Sequence, residues 1–224
     1  PGWPAISGAE ADLSFGAGMQ VKVHQGHILG TRMGPVTVEV PSFLAADEHL
    51  LVDGRVEGPT SEFLRFIEKS PVAQSINSMT SDMRAIGEGR LALKLDFPLR
   101  HIADTRVAGE YELLNNRVTA VPCLPVVNQV SGRIAFTENS VTAPEISGQV
   151  LGAPLKLSIR NQGEAVAVDL SGGMVMREMR KLADLPVFDY LSGQTAWKGT
   201  VKMQKNTAAF VIETNLAGIA SSLP

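Results

Sequence analysis

The stretch Arg90-Leu91-Ala92-Leu93-Lys94-Leu95-Asp96-Phe97 alternates without a break. Leu91, Leu93, Leu95 and Phe97 fall on one side of an extended chain, and Arg90, Lys94 and Asp96 on the other. A period of two predicts a half-buried strand. Nearly every other segment varies the same theme, so the chain reads as mainly β, with one continuous apolar surface to cover. What covers that surface is the functional question.

Upstream, Ala9, Ala11, Leu13 and Phe15 alternate with Glu10, Asp12 and Ser14. Gly16-Ala17-Gly18 then turns the chain into Met19, Val21 and Val23, which predicts a hairpin. Gly26 and Gly34-Pro35 are expected to punctuate two further strands, the second carrying Val36, Val38 and Val40. Another strand runs from Leu50 to Val56. The period changes after Gly58-Pro59: Thr60 is expected to serve as N-cap, and Phe63, Phe66 and Ile67 take helical spacing until Lys69-Ser70-Pro71 stops the helix. Val72, Ile76 and Met79 predict a second short amphipathic helix. Such helices are expected over a sheet end or edge.

Downstream, Val107 to Leu113 forms a strand that Asn115-Asn116 is expected to turn into Arg117 to Val121, and Pro122-Cys123-Leu124-Pro125 breaks the pattern. From Pro125 onward the chain resembles its own beginning. Pro125 to Phe136, PVVNQVSGRIAF, stands in register with Pro4 to Phe15, PAISGAEADLSF, and Leu151-Gly152 matches Leu29-Gly30. Leu155, Leu157 and Ile159 make the next strand, and Val166, Val168 and Leu170 echo the one at Val52. Val175, Met179 and Leu182 predict a helix. Trp197, Val201 and Met203, then Phe210 and Ile212, close the series. Two repeats are expected, 1–124 with a helical insert near 60–80 and 125–224 with one near 174–191. About a dozen short strands joined by tight turns argue for antiparallel pairing. At about 4.8 Å per strand, one such sheet would run to roughly 60 Å. Sheets of that size curl or split, so a sandwich and a single sheet folded around a groove both fit the pattern.

Composition excludes several classes. A net charge of −3, with lysines and arginines scattered over the polar strand faces, gives no footprint for nucleic acid. Cys123 is the single cysteine, which rules out an intrachain disulfide and a thiolate metal cluster. His24 and His27 lie three apart with no third ligand beside them, and His49 and His101 are isolated. There is no G-x-S-x-G elbow, phosphate-cradling loop or dinucleotide fingerprint. No enzyme, cofactor or metal is expected, and alanine at His24, His27 or Cys123 should leave function intact. No apolar run approaches a membrane span, and Pro1-Gly2-Trp3 does not open a signal peptide. The chain is expected to be a piece of something longer.

The chain resembles the AsmA-like superfamily, most closely its YhdP family. The residues that carry the likeness run in order along its whole length. They are Trp3-Pro4, the strand starts Ala11–Phe15 and Gly132–Phe136, the helix end Phe66-Ile67-Glu68-Lys69-Ser70-Pro71, and Gly109 with Tyr111. Leu151-Gly152-Ala153-Pro154, Gly193 with Trp197, and Asn215-Leu216-Ala217-Gly218 with Leu223-Pro224 complete the set. The resemblance implies a long, strongly curved antiparallel sheet, a taco-like β-groove built from repeats, in a Gram-negative protein anchored in the inner membrane and extending through the periplasm. It implies phospholipid acyl chains as cargo on their way to the outer membrane, and neighbouring repeats of the same full-length chain as partners. Membrane contact would come only through segments missing here. The groove lining expected on this basis is Leu13, Phe15, Val21, Val23, Leu91, Leu93, Leu95, Phe97, Ile134, Phe136, Leu155, Leu157, Ile159 and Trp197. Apolar burial at about 0.8 kcal/mol per CH2 would hold the chains and let them slide. The competing expectation is a periplasmic scaffold or assembly module that acts through its sheet edges.

Overall fold

The computed structural model describes residues 4–70, 80–120, 124–162, 165–180, 185–204 and 207–222, with the side chains of 203, 204, 207, 208 and 210 left aside. The expected helix through Val72, Ile76 and Met79 lies outside these residues, as do Trp3, Cys123, Leu182 and Leu223-Pro224.

The strands are β1 (Ile6–Phe15), β2 (Met19–Ile28), β3 (Thr31–Val40), β4 (His49–Pro59), β5 (Arg84–Pro98), β6 (Arg106–Thr119) and β7 (Val127–Thr137). They continue with β8 (Val141–Val150), β9 (Ala153–Gln162), β10 (Ala165–Val175), β11 (Leu191–Gln204), β12 (Thr207–Glu213) and β13 (Ile219–Ser221). Helix α1 (Thr60–Glu68) follows β4, and the single turn α2 (Met176–Met179) follows β10. Short 3-10 segments lie at Ile102–Asp104 and Pro186–Tyr190. All strands belong to one 13-stranded antiparallel sheet, in which β1 to β12 pair in sequence order and β13 pairs with β11. The sheet is not closed into a barrel. This removes the sandwich left open by the periodicity.

Three turn signals mislead. β2 runs through Gly26 to Ile28. β3 carries Gly34-Pro35 inside it, at a register shift against β4 between Met33 and Val36. A bulge leaves a residue outside the ladder, so the missing N–H of Pro35 interrupts nothing. β6 likewise passes straight through Asn115-Asn116, with Asn115 at φ 52 and Asn116 fully buried. Asn tolerates the left-handed region at little cost, and the strand absorbs it without reversing.

By compactness the chain divides into two units. The first comprises Pro1–Ser81, Ile86–Leu113 and Ile134–Val141, and the second Asp82–Ala85, Leu114–Arg133 and Thr142–Pro224.

In the first unit, directly opposed residues form apolar rows across the strands. One row runs Leu13, Val21, Val38, Val52, Leu95, and the next Ala11, Val23, Val36, Gly54, Leu93. Since opposed residues share a face, five strands turn the same side chains one way. Val23, Met33 and Val36 form its buried cluster, with Val21, Ile28, Val38, Val52 and Val56 packed against them. The other face carries charge. Asp12, Lys22, Thr37, Asp53 and Lys94 stand in one row. Glu57 pairs with Arg32 and lies 3.7 Å from Arg90, whose Nη1 is 3.6 Å from Glu112. Exposed pairs of this kind add at most about 1 kcal/mol each, but alternating signs keep the face in water.

The second unit repeats the arrangement. Ala143, Ile159, Val168 and Val201 make one row, and Ile146, Leu157, Leu170, Gly199 and Ile212 the next. Lys156 with Glu145 at 3.1 Å, and Arg160 with Asp169 at 2.7 Å, occupy the opposite face.

The turns Leu29-Gly30 and Leu151-Gly152 each join strands ten residues long, closed by the pairs Ile28 with Thr31 and Val150 with Ala153. Both leucines sit at positive φ, 53 and 50 respectively, and Gly152 follows at 73, the backbone of a type I′ turn.

Candidate functional site

The apolar face of each unit is the candidate site. In the first unit the central strands decide its nature. Val38, Val52, Leu91, Leu93, Leu95 and Phe97 lie in the middle of the sheet yet are only half-buried. A second sheet packed on this face would bury them completely. Within the first unit, α1 packs against one end of this face.

That end is built as a plug. Tyr111 on β6 donates a hydrogen bond to Oγ1 of the buried Thr60, 2.9 Å away at the start of α1, and its ring meets Phe63 edge-on at 5.0 Å between centroids. The Gly30 N–H reaches Glu62 Oε2 at 3.1 Å, tying the β2–β3 turn to the same helix. Burial pushes the Tyr111 phenol up to about 12, the negative charge of Glu88 adds to this, and the hydrogen bond with Thr60 pulls the other way. The phenol is therefore neutral at any physiological pH.

Aromatic rings settle over glycines on both apolar faces. A Cβ on Gly89 would lie 2.5 Å from Tyr111 Cζ, and one on Gly109 would lie 2.5 Å from Phe136 Cε2. A Cβ on Gly172 would meet Trp197 Nε1 at 3.2 Å, and that nitrogen donates to the Gly173 carbonyl at 3.0 Å. Each glycine frees the space that a ring then fills.

The sequence-derived lining divides by position. Leu91, Leu93, Leu95 and Phe97 of β5 and Val21 of β2 are half-buried on the shared face of the first unit, and Val23 lies beneath them in the buried cluster. Leu13 and Phe15, on the terminal strand β1, are 61% and 68% exposed. Ile134 and Phe136 of β7 are half-buried, Phe136 against Gly109. In the second unit Leu157 and Ile159 are half-buried, Leu155 is buried, and Leu155, Gly172 and Trp197 share a row. The sequence reading omitted Val36, Val38, Val52 and Val56, although their own alternation marks them. It also missed the Thr60–Phe63–Tyr111 plug, for which Gly109 with Tyr111 was the one signal.

The polar groups lie elsewhere. Asp12 meets His24 at 2.9 Å and Glu10 meets Gln25 at 2.6 Å on the charged face. Among the described residues no three His, Cys, Asp or Glu side chains are grouped to hold a metal. Among the same residues no helix is long and apolar enough to cross a membrane.

Comparison with known proteins bears on what such a face does. The chain is 27% identical over 236 residues to the intermembrane phospholipid transporter YhdP of Escherichia coli (strain K12), in an alignment that covers all of this chain and 18% of that protein. It thus spans less than a fifth of that relative's length. No solved structure matches. The family model described as YhdP protein matches residues 1–224, from the first strand to the last, and the chain belongs to that family.

Proposed function

We propose that this chain is one segment of a phospholipid-carrying protein of the Gram-negative envelope, and that its apolar sheet face is a groove for acyl chains travelling between inner and outer membranes. The observation that carries the reading is the half-burial of Val38, Val52, Leu93 and Leu95 at the centre of a single sheet. An aliphatic surface left open there costs about 25 cal/mol per Å2 in water, and an acyl chain would recover it. The E. coli relative, by its name a phospholipid transporter, supplies the ligand class. On this reading the segment lies in the periplasm, held by an inner-membrane anchor elsewhere in the longer protein, and needs no catalytic centre or cofactor. We also read residues 1–124 and 125–224 as two copies of one unit. Strands β1 to β3 and β7 to β9 recur in order with a Leu-Gly pair between the second and third, and each copy places a helical segment directly after its fourth strand.

The test is native mass spectrometry with lipid extraction, on the chain purified from bacterial membranes without detergent. Co-purified phospholipid, lost in a Leu93→Asp variant with an unchanged circular dichroism spectrum, is the expected result. A clean protein mass that takes up no added phospholipid would overturn the groove. It would favour the scaffold reading, which has its own support in the exposed apolar side chains of the terminal strands, Ile6 and Leu13 on β1 and Val211 and Ile212 on β12.

A further inference from the structure

The apolar face of the first unit has two unlike ends. One is closed by α1, Tyr111 and the Leu29-Gly30 turn. The other, where β3 passes to β4 and β5 to β6, ends in loops with large apolar side chains in water: Leu44 is 89% exposed and Ile102 69%, with Phe43 and Leu99 beside them. Phe43 stacks on Phe15 at 6.3 Å between ring centroids. These loops are held in place. The Phe43 N–H donates to the Ala17 carbonyl at 2.8 Å, and the Leu99 N–H to the Glu48 carbonyl at 2.7 Å.

At this rim, just past the last apolar pair Leu50 and Phe97, stands one loose ion pair. Arg100 Nη2 lies 3.6 Å from Glu48 Oε1, beyond hydrogen-bond length, and the two side chains are 59% and 25% exposed. Glu48, one residue before β4, and Arg100, two residues after β5, stand at this rim on either side of the exposed Leu99. A cation and an anion, side by side and incompletely paired, complement a headgroup in which a phosphate and an ammonium are joined by a short linker. The apolar strip behind them has a fitting length. From Phe97 to Leu91 it runs six residues, about 20 Å, against the roughly 15 Å that one leaflet's acyl chains occupy in a bilayer.

We propose that the first unit seats a phospholipid lengthwise on β4 and β5, with its chains directed towards the α1–Tyr111 plug. The headgroup rests at the Phe43–Ile102 rim, with the phosphate on Arg100 and the ammonium on Glu48. The occupant is thus a zwitterionic phospholipid, its ammonium and phosphate joined by a short linker. This rests on the acyl-chain reading above and adds the headgroup class, the direction in which the lipid lies and the rim at which it enters.

The experiment is competition native mass spectrometry of this chain with phosphatidylethanolamine and phosphatidylglycerol of identical acyl chains, for the unaltered protein, Arg100→Ala and Glu48→Ala. The expected result is a preference for phosphatidylethanolamine of about fivefold, the equivalent of roughly 1 kcal/mol for a charge pair, lost in both variants as phosphatidylethanolamine uptake falls by that factor. Arg100 is exposed and Glu48 partly so, and circular dichroism checks the fold of each variant. In parallel, a fluorophore on Leu99→Cys should be quenched by a nitroxide on the lipid headgroup more strongly than one on Leu91→Cys, in the Cys123→Ala background. Uptake of both lipids without discrimination, or equal quenching at the two positions, overturns the proposal and leaves the groove standing. Uptake of neither lipid removes the groove reading and this proposal with it.

Discussion

Gly89→Ala is the most exacting test of how the apolar face is built. Gly89 lies on β5 in ordinary extended backbone, where a Gly to Ala change alone stabilises by about 0.4–1 kcal/mol through the unfolded chain. Here the new methyl would stand 2.5 Å from Tyr111 Cζ, with the hydroxyl closer still. The ring must leave. Its departure breaks the hydrogen bond to Thr60, worth about 1 kcal/mol, and loosens the edge contact with Phe63, worth about 0.5–1.5 kcal/mol. Overpacking strain adds about 1–3 kcal/mol. The net expectation is a loss of about 2–5 kcal/mol, read as a lowered urea midpoint by circular dichroism. In a Tyr111→Ala background the obstacle is gone, and the same change should now stabilise. A double-mutant cycle therefore changes sign, with a coupling above about 2 kcal/mol. A second readout is the phenol, now held at about 12 by burial, which in Gly89→Ala should titrate nearer the ordinary value of about 10. Equal cost in both backgrounds would show that Tyr111 is not what occupies the space above Gly89, and the plug would lose its basis.

Two further predictions concern the turns and the loop rim. Leu151→Asn converts a strained Leu-Gly pair into Asn-Gly, the preferred type I′ sequence, and should stabilise by about 1 kcal/mol; a lower melting temperature would mean that contacts of the leucine side chain outweigh its left-handed backbone. Hydrogen bonds to Asp96 and then Asp47 raise the His49 pKa above 6.5, so its stabilisation is complete below that value and is lost as pH rises through the folded pKa. The urea midpoint should fall further between about pH 6 and about pH 8 than in His49→Gln, and parallel profiles would sink the linkage.

The alternation at Leu91 to Phe97 was sufficient to read strands with one wet and one apolar face, because such a sheet writes its facing into every second residue; the single sheet, as against a sandwich, came from the family resemblance. Opposed rows such as Val21, Val38 and Val52 follow once the strands pair in order. The interruptions were harder. Gly34-Pro35 and Asn115-Asn116 carry the residue types of turns, and a turn and a bulge ask the same of the backbone locally. Only the ladder on either side distinguishes them. The aromatic seats were harder again: Gly109 and Tyr111 are neighbours in sequence, yet Tyr111 fills the space over Gly89 and Gly109 receives Phe136. Cross-strand partners of this kind depend on register, which no single segment contains.

The strand order has a consequence for how the molecule comes into being. Because each strand from β2 to β12 hydrogen-bonds to the one made just before it, only β13, which returns to β11, skips a strand. The chain can be laid down vectorially as it emerges, one hairpin at a time, with short loop closures except at the helix-bearing links after β4 and β10. At every stage the growing edge is the C-terminal one, and the next residues to appear are those that cover it. A sheet of this width would otherwise assemble slowly and expose long unpaired edges to other chains. Consecutive topology confines each new exposure to the strand just made.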